Sequence, residues 1–262
     1  MVRVLAIAGS DSGGGAGIQA DIKTITALGA FATSAISAIT AQNTLGVTAV
    51  SNISPEMVVA QIRAVLEDIG TDAIKTGMLS DVDVIDAVAQ SIAAFSGPLV
   101  VDPVMVATSG AKLSTDQSVQ RLVEKLFPRA MLVTPNLPEA EILWGQKISG
   151  PEDMLAAARA ILKLGPDAVL LKGGHLPGAN LIDLLVTPQT IHRFESAKIE
   201  TVNTHGTGCT LASAIATGLA QGMDMIPAVE RARAYLRRAI ELAPGFGSGH
   251  GPVNHGYPFQ DI

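Results

Sequence analysis

The chain has 262 residues, of which 48% are hydrophobic and only 3% aromatic, and its formal net charge is −6. This acidic balance disfavours a nucleic acid as partner, because the overall field repels a polyanion. The single cysteine excludes an internal disulfide framework and a cysteine metal cluster, and no apolar run reaches the length of a membrane span. We therefore expect a cytoplasmic protein whose core is built from Ala, Val, Ile and Leu.

Short apolar runs alternate with amphipathic helical patterns along most of the chain. Strands are predicted over residues 4–8, 31–40, 73–78, 99–104, 131–134 and 168–172. Helices are predicted over residues 18–28, 55–69, 82–94, 116–126, 138–144 and 151–164, with Ser54 as the N-cap of the second. This alternation is typical of a parallel sheet covered by helices.

The order of elements changes after residue 172. Residues 181–187 and 190–195 read as two strands joined by a Thr-Pro-Gln turn, which predicts a hairpin at a sheet edge. Helices are predicted over 209–221 and 227–242, before a Gly/Pro/His-rich tail over 244–262. We expect a single three-layer α/β/α domain over residues 1–262, with a mostly parallel central sheet and ligands bound beyond the carboxyl ends of the strands.

The most informative segment is residues 203–210, Asn-Thr-His-Gly-Thr-Gly-Cys-Thr, which opens an apolar helical pattern with two glycines. The first N–H groups of a helix are unpaired and carry partial positive charge, so the backbone N–H groups of this segment can face a phosphate. In that field we expect a lowered pKa for the Cys209 thiol, which can then act as a base towards a substrate hydroxyl. A buried cysteine behind an ordinary glycine turn is the alternative.

A second glycine-rich loop follows the first strand. Residues 10–17, Ser-Asp-Ser-Gly-Gly-Gly-Ala-Gly, match neither the Gly-Lys-Ser/Thr phosphate loop nor the Gly-x-Gly-x-x-Gly dinucleotide pattern, so by itself this segment reads as a flexible turn. Asp21, in the next helix, can accept hydrogen bonds from an amino group or hydroxyl, and Gln42 can pair with a ring nitrogen and its amino substituent. A first-turn aspartate and a polar turn are the ordinary alternatives.

Polar and charged residues follow three later strands. Asp102 ends a Leu-Val-Val run, Asn136 and Glu139 follow a Met-Leu-Val-Thr run, and Lys172 ends an Ala-Val-Leu-Leu run. Two carboxylates and an amide at adjacent strand ends can hold Mg²⁺ through waters, and Lys172 supplies a positive charge for a triphosphate. Each can instead be a helix cap or half of an ion pair. Together with the helix start at Cys209 they provide what phosphoryl transfer requires, which is mainly positioning and charge neutralisation.

Eight ordered segments, from the first strand to the last helices, resemble the hydroxymethylpyrimidine/phosphomethylpyrimidine kinase family. They are residues 8–11, 14–21, 38–44, 75–79, 102–106, 134–140, 172–175 and 203–210. The resemblance implies a ribokinase-like fold without a separate lid domain, and an ATP- and Mg²⁺-dependent enzyme of thiamine biosynthesis. Such enzymes phosphorylate the hydroxymethyl group of 4-amino-5-hydroxymethyl-2-methylpyrimidine and then convert the monophosphate to the diphosphate at one site, typically as homodimers.

The resemblance also implies roles for individual residues. The aminopyrimidine would bind to Asp21 and Gln42 in a pocket lined by Gly9, Ala16, Met78 and Val106. The metal would be held by Asp102 and Glu139, and the nucleotide phosphates by Asn136, Glu139, Lys172, Thr207 and Gly208. The catalytic set would be Cys209, Lys172, Gly206 and Gly208, with Cys209 where many ribokinase-like enzymes have an aspartate base.

Two other functions stay open at this point. A pyridoxal or pyridoxine kinase shares the superfamily and also acts on a small heteroaromatic ring with a hydroxymethyl group, although Asp21 and Gln42 suit an exocyclic amine better. A non-catalytic pyrimidine-sensing protein would keep the pocket but would not need Asp102, Glu139 and Lys172. Comparing turnover of the pyrimidine and of pyridoxal distinguishes the pyrimidine kinase from the pyridoxal kinase. Formation of ADP distinguishes either kinase from the sensor.

The histidines have less definite roles. His175 and His205 lie near the phosphate motifs, where we expect them either to contact the nucleotide or to orient loops. His250 and His255 lie in the tail, and their spacing supports no metal geometry. The sequence therefore assigns no chemistry to either tail histidine.

Overall fold

The computed structural model describes residues 1–106, 114–174, 176 and 178–259. His175 therefore lies outside the described residues. The described strands are β1 (Arg3–Asp11), β2 (Phe31–Asn43), β3 (Gly46–Asn52), β4 (Ala73–Thr76), β5 (Leu99–Val101), β6 (Leu132–Val133), β7 (Val169–Lys172), β8 (Asn180–Val186) and β9 (Ile191–Ala197). The described α-helices are α1 (Gly17–Ala27), α2 (Pro55–Ala64), α3 (Val82–Ser91), α4 (Asp116–Lys125), α5 (Leu137–Trp144), α6 (Pro151–Leu162), α7 (Thr207–Ala220) and α8 (Met225–Glu241).

The nine strands form one sheet in the order β3-β2-β1-β4-β5-β6-β7-β8-β9. Six strands, β2, β1, β4, β5, β6 and β7, run parallel to one another, whereas β8 and β9 form an antiparallel hairpin on β7. The predicted edge hairpin is confirmed. The predicted helix start at Ser54 is confirmed too, because its side chain accepts a hydrogen bond from the N–H of Met57. A π-helical turn, Val65–Ile69, continues α2.

The sequence did not predict β3. This strand pairs antiparallel with the end of β2 and closes the opposite edge of the sheet. Five of its seven residues are exposed, so the segment lacks the alternation of apolar and polar residues that marks a half-buried strand. β2 correspondingly extends to Asn43 rather than ending at residue 40, and β1 extends to Asp11.

Two apolar layers, one on each face of the sheet, confirm the predicted three-layer α/β/α architecture. Along β1 the side chains alternate, with Leu5 and Ile7 packed towards α2–α6 and Val4 and Ala6 towards α1, α7 and α8. Because both faces are covered, the parallel strands bury mainly apolar side chains. None of the described helices combines the length and apolar character needed to cross a membrane.

The parallel strands bring their carboxyl ends to one edge of the sheet, where ligands bind in open α/β folds. β1 and β2 end there in the loops that carry Asp11 and Gln42, and β5 to β7 end there at Asp102, Thr134 and Lys172. Helix α7 packs against β1, β4 and β5, so its N-terminus lies at the same edge. The motifs that are far apart in sequence therefore meet at this edge.

Candidate functional site

The start of α7 has the geometry that the sequence predicts for an anion-binding loop. Gly206 is the N-cap with a φ of 81°, in the left-handed region that favours glycine, and α7 begins at Thr207, two residues before the predicted start. A Cβ at Gly206 would overlap the carbonyl oxygen of Gly15. The N–H of Thr207 donates to the Thr204 carbonyl at 3.3 Å, but no side chain caps this helix start, which leaves the N–H groups of Gly208 and Cys209 to face an anion.

A cation and a carboxylate lie beside this first turn. Lys172 Nζ is 3.0 Å from Asp102 Oδ1, and the same oxygen accepts a hydrogen bond from Thr134 Oγ1 at 2.9 Å. A Cβ on Gly208 would lie only 3.3 Å from Lys172 Nζ and 3.5 Å from Asp102 Oδ2. Burial alone would lower the pKa of Lys172, but Asp102 and Glu139 raise it, so the ammonium keeps its charge. The structure thus brings these predicted site residues together.

Asn136 and Glu139 form a capping box at the start of α5. The Asn136 side chain accepts the N–H of Glu139, and Glu139 Oε2 accepts the N–H of Asn136. Glu139 Oε1 also accepts the N–H of Met105 at 3.4 Å, which ties the β5 and β6 loops together. Burial raises the pKa of Glu139 to about 7, and Asp102 adds to the rise against the opposing effect of Lys172. Both residues therefore cap a helix as well as facing the site.

The predicted lowering of the Cys209 pKa is wrong in this structure. Burial raises the pKa of the thiol to about 11, and Asp21 and Asp102 contribute to the rise. Lys75 acts in the opposite direction but does not outweigh the two carboxylates and the desolvation. The helix start is where the sequence predicts it, but the carboxylates that surround the thiol come from distant parts of the chain.

Sequence reasoning gave no role to Lys75, which is fully buried. Its Nζ lies 2.8 and 2.9 Å from the two carboxylate oxygens of Asp21, and Ser213 Oγ of α7 donates to Asp21 Oδ1 at 2.6 Å. Although burial alone would lower it, Asp21, Cys209 and Asp102 raise the pKa of Lys75. The available signal was a lysine inside the strand predicted over residues 73–78.

This ion pair changes the interpretation of Asp21. Both oxygens of its carboxylate are engaged by Lys75 and Ser213, and the residue is fully buried. Such a group is a buried counter-ion rather than a residue facing a ligand. The geometry therefore does not favour the predicted direct contact between Asp21 and an aminopyrimidine.

The glycine loop between β1 and α1 is held in place, which the interpretation as a flexible turn did not anticipate. The Asp11 carboxylate accepts the backbone N–H groups of Gly13, Gly15 and Ala16 at 2.8–3.0 Å. Burial would raise the pKa of Asp11, but hydrogen bonds from His205 and from this backbone hold it below its usual value. An ionised Asp11 thus organises the loop from within.

The predicted pocket residues fall into smaller groups. A Cβ on Gly9 would lie 2.5 Å from Met78 Cε, so the methionine side chain lies directly over the glycine. Gln42 Nε2 is 3.5 Å from His205 Nε2, and Ala16 is the N-cap of α1. Val106 is half-buried and is the last described residue before the gap at 107–113.

The tail beyond α8 covers one side of the site, a role that the sequence did not indicate. Backbone hydrogen bonds join His250 to the Thr44 carbonyl and His205 to the Gly251 carbonyl. His255 is buried, and its Nε2 lies 2.9 Å from Thr210 Oγ1 in the first turns of α7. Burial lowers the pKa of His255 to about 4, so the ring is neutral at physiological pH. The tail thereby fixes the start of α7 from outside.

Comparisons with known proteins cover almost the whole chain. The phosphomethylpyrimidine kinase family model matches residues 11–254. The hydroxymethylpyrimidine/phosphomethylpyrimidine kinase of Rhizobium meliloti is 52% identical over 254 residues, which cover 96% of each chain. The thiamine biosynthesis bifunctional protein ThiED of Geobacter sulfurreducens is 52% identical over 260 residues, and this chain spans about half of its length, 53%.

Solved structures agree on the fold. The pyridoxal kinase of Staphylococcus aureus in complex with ADP superposes with a TM-score of 0.92 at 35% sequence identity, covering 100% of this chain and 96% of that one. The predicted ribokinase-like α/β fold is therefore confirmed. Fold alone does not separate the two vitamin kinases, whereas the sequence identity is higher to the pyrimidine enzyme.

Replacing Lys75 with Met should lower the free energy of unfolding at pH 7 by about 3–5 kcal/mol, because the Asp21 carboxylate would stay buried without its cation. Burial raises the pKa of Asp21 above its unfolded value, so the loss should grow as the pH rises and shrink as acid protonates the carboxyl. Urea unfolding at several pH values measures both effects.

The matched control for this variant is Lys147→Met, which removes an exposed ion pair with Glu141 and should change stability by less than about 1 kcal/mol. The double variant Lys75→Met, Asp21→Asn should regain part of the loss, because no uncompensated charge is then buried. Equal losses for the Lys75 and Lys147 variants would contradict the buried-pair interpretation.

Proposed function

Because the chain belongs to the phosphomethylpyrimidine kinase family, we propose that it transfers the γ-phosphoryl group of ATP to the hydroxymethyl group of 4-amino-5-hydroxymethyl-2-methylpyrimidine. A second transfer then converts the monophosphate to the diphosphate, in thiamine biosynthesis. The observation that carries this proposal is the meeting of Lys172, Asp102 and Gly208 at the N-terminus of α7. Transfer of a phosphoryl group needs a cationic, flexible side chain and backbone N–H donors at one point.

The phosphates are bound from two sides in this proposal. The developing charge on the transferred group is stabilised by the N–H groups of Gly206, Gly208 and Cys209, since donors fixed at a helix start need no reorganisation. The Lys172 ammonium neutralises the nucleotide phosphates from the end of β7. Asn136 uses its side-chain oxygen as a cap, which leaves its amide N–H groups to donate to a phosphate oxygen.

Mg²⁺ fits the carboxylates that are present. Asp102 Oδ1 is occupied by Lys172 and Thr134, whereas Oδ2 faces the Gly208 backbone. Mg²⁺ keeps several waters and binds one or two carboxylates together with phosphates. Asp102 and Glu139 would hold it, and when bound it would neutralise charge on the phosphate oxygens.

The aminopyrimidine lies against backbone and Met78 in this proposal. Gly9 and Ala16 provide surfaces without bulky side chains, Val106 borders the opposite side, and Gln42 hydrogen-bonds the polar edge of the ring. Asp21 acts indirectly, by holding Lys75 beneath the site. The hydroxymethyl group then faces Cys209 at the start of α7.

Pyridoxal remains the alternative substrate, because a pyridoxal kinase superposes closely on this chain. The higher identity to the Rhizobium meliloti pyrimidine kinase favours the aminopyrimidine. A catalytically silent sensor is disfavoured, because a sensor has no use for the assembled Lys172–Asp102 pair beside Gly208.

The function is tested by supplying the purified protein with ATP, Mg²⁺ and either the aminopyrimidine or pyridoxal, and by following the products by mass spectrometry. We expect both mono- and diphosphate of the pyrimidine, with kcat/KM at least about tenfold above that for pyridoxal, as a mispaired ring edge costs roughly 1–3 kcal/mol. Turnover of pyridoxal alone would reverse the assignment, and absence of ADP in both reactions would favour the sensor.

Cys209 is proposed to accept the proton of the substrate hydroxyl. Cys209→Ala should lower kcat by about 10²–10⁴-fold, with little change in KM for the pyrimidine. Burial and the nearby carboxylates raise the pKa of the thiol to about 11, so a thiolate base would make kcat/KM of the unmodified enzyme rise with pH through the neutral and alkaline range. A variant with normal kcat would leave Cys209 a positioning role only.

We also propose that the protein is a homodimer, as the family resemblance implies. The β2–β3 hairpin exposes Ile39, Leu45 and Val50 at the sheet edge, an apolar surface suited to burial against a second copy. Light scattering should give about twice the chain mass of 27.0 kDa. Val50→Arg should shift that mass towards one chain, whereas a monomeric parent protein would refute the dimer.

A further inference from the structure

His205 joins three parts of the chain. Its ring lies against Gly15 of the glycine loop, where a Cβ would come within 2.5 Å of His205 Cδ2. Its Nε2 lies 2.9 Å from Asp11 Oδ2 and 3.5 Å from Gln42 Nε2. The residue is 7% exposed and immediately precedes the N-cap of α7. One ring nitrogen therefore faces both the glycine loop and the side chain proposed to bind the pyrimidine.

The hydrogen on Nε2 can be assigned from the partner. Asp11 is an acceptor, since its carboxylate already receives three backbone N–H groups, and these bonds with that of His205 keep its pKa below the usual value although burial opposes them. A hydrogen bond of 2.9 Å to such a group requires that His205 Nε2 carries the hydrogen. This holds for the neutral Nε2–H tautomer and for the doubly protonated ring alike.

In the orientation described, neither the nitrogen nor the oxygen of the Gln42 side-chain amide then has a suitable hydrogen-bond partner. Its NH₂ group faces the Nε2–H of His205, which sets two donors against each other. Its Oε1 lies 3.2 Å from Thr40 Oγ1, but the one hydroxyl hydrogen of Thr40 is drawn to the Ser10 carbonyl at 3.0 Å. Rotating the amide by 180° relieves both contacts with little change of shape, because NH₂ then donates to Thr40 and the amide oxygen, 3.5 Å from Nε2, shares the hydrogen that His205 donates mainly to Asp11.

We propose that His205 is a specificity-positioning residue, which together with Thr40 fixes the Gln42 amide with its oxygen towards His205 and its nitrogen towards Thr40. This inference rests on the proposed function, in which Gln42 contacts the ring. The amide nitrogen keeps one unused N–H hydrogen and the amide oxygen keeps one unused lone pair. The ligand therefore meets a donor and an acceptor whose positions are fixed. A ring edge with an acceptor nitrogen beside an exocyclic amine fits that order, whereas a phenolic pyridine lacks the amine.

Two substitutions at His205 separate the donor from the bulk of the ring. His205→Phe keeps a planar ring without the N–H and should raise KM for the aminopyrimidine about tenfold or more, since a mispaired buried amide costs roughly 1–3 kcal/mol. The same variant should reduce the preference for the aminopyrimidine over pyridoxal, measured as the ratio of the two kcat/KM values, by a similar factor. KM for ATP should be nearly unchanged. His205→Gln restores a donor at the Nε2 position and should recover most of the preference. His192→Phe, on β9, is the matched control.

Thr40 supplies a second test that does not depend on the folding of the His205 variants. Thr40→Val removes the acceptor for the Gln42 N–H and should also raise KM for the aminopyrimidine, whereas Thr40→Ser keeps the hydroxyl and should behave like the unmodified protein. Normal KM and normal preference in both His205→Phe and Thr40→Val would overturn the positioning role.

The hydrogen arrangement can also be read without substrate. Long-range ¹H–¹⁵N correlation spectra of the unmodified protein should show a hydrogen on His205 Nε2, and an unprotonated Nε2 would overturn the inferred orientation. Failure of the unmodified protein to phosphorylate the aminopyrimidine, with Nε2 protonated as expected, would instead refute the proposed function and leave the amide orientation standing. The two failures are therefore distinguishable.

Discussion

Direct contact between two glycine loops, at Gly15 and Gly206, is the constraint on which the rest of the site depends. The two backbones approach so closely that neither a Cβ on Gly206 nor one on Gly15 can be accommodated without displacing a neighbour. This contact sets the start of α7 against the end of β1, and thereby fixes how far the helix N–H groups lie from the strand ends that carry Asp102 and Lys172. The ionised Asp11 and the His205 ring hold the same junction from within.

Charges at the site are balanced in layers. Lys75 and Asp21 form the deeper pair, fully buried against α7, and Lys172 and Asp102 form the pair nearer the strand ends. A buried charge is tolerated only when it is paired and hydrogen-bonded, so each pair requires its partner for stability. The lower pair also sets the surroundings of Cys209, whose thiol is influenced by both Lys75 and Asp21. Stability and reactivity thus depend on the same few groups.

Local patterns in the sequence predicted most of the fold and the position of most site residues. Apolar runs located the parallel strands, and the Gly-Thr-Gly-Cys segment located the start of α7 to within two residues. The errors have two causes, which are contacts between distant segments and an edge strand without a burial pattern. The pKa of Cys209 is raised by Asp21 and Asp102, and β3 was missed because an exposed edge strand leaves no alternation to detect.

The crossing of the tail over the start of α7 has a consequence for how the protein matures. The site draws on Gly9 and on the much later segment from His250 to His255. During synthesis the strands and helices can form as they leave the ribosome, but the segment that supports the anion-binding turn arrives only with residue 255. A nascent chain therefore cannot complete its ligand site before that residue has been added, and nucleotide cannot template the folding of the segments made earlier.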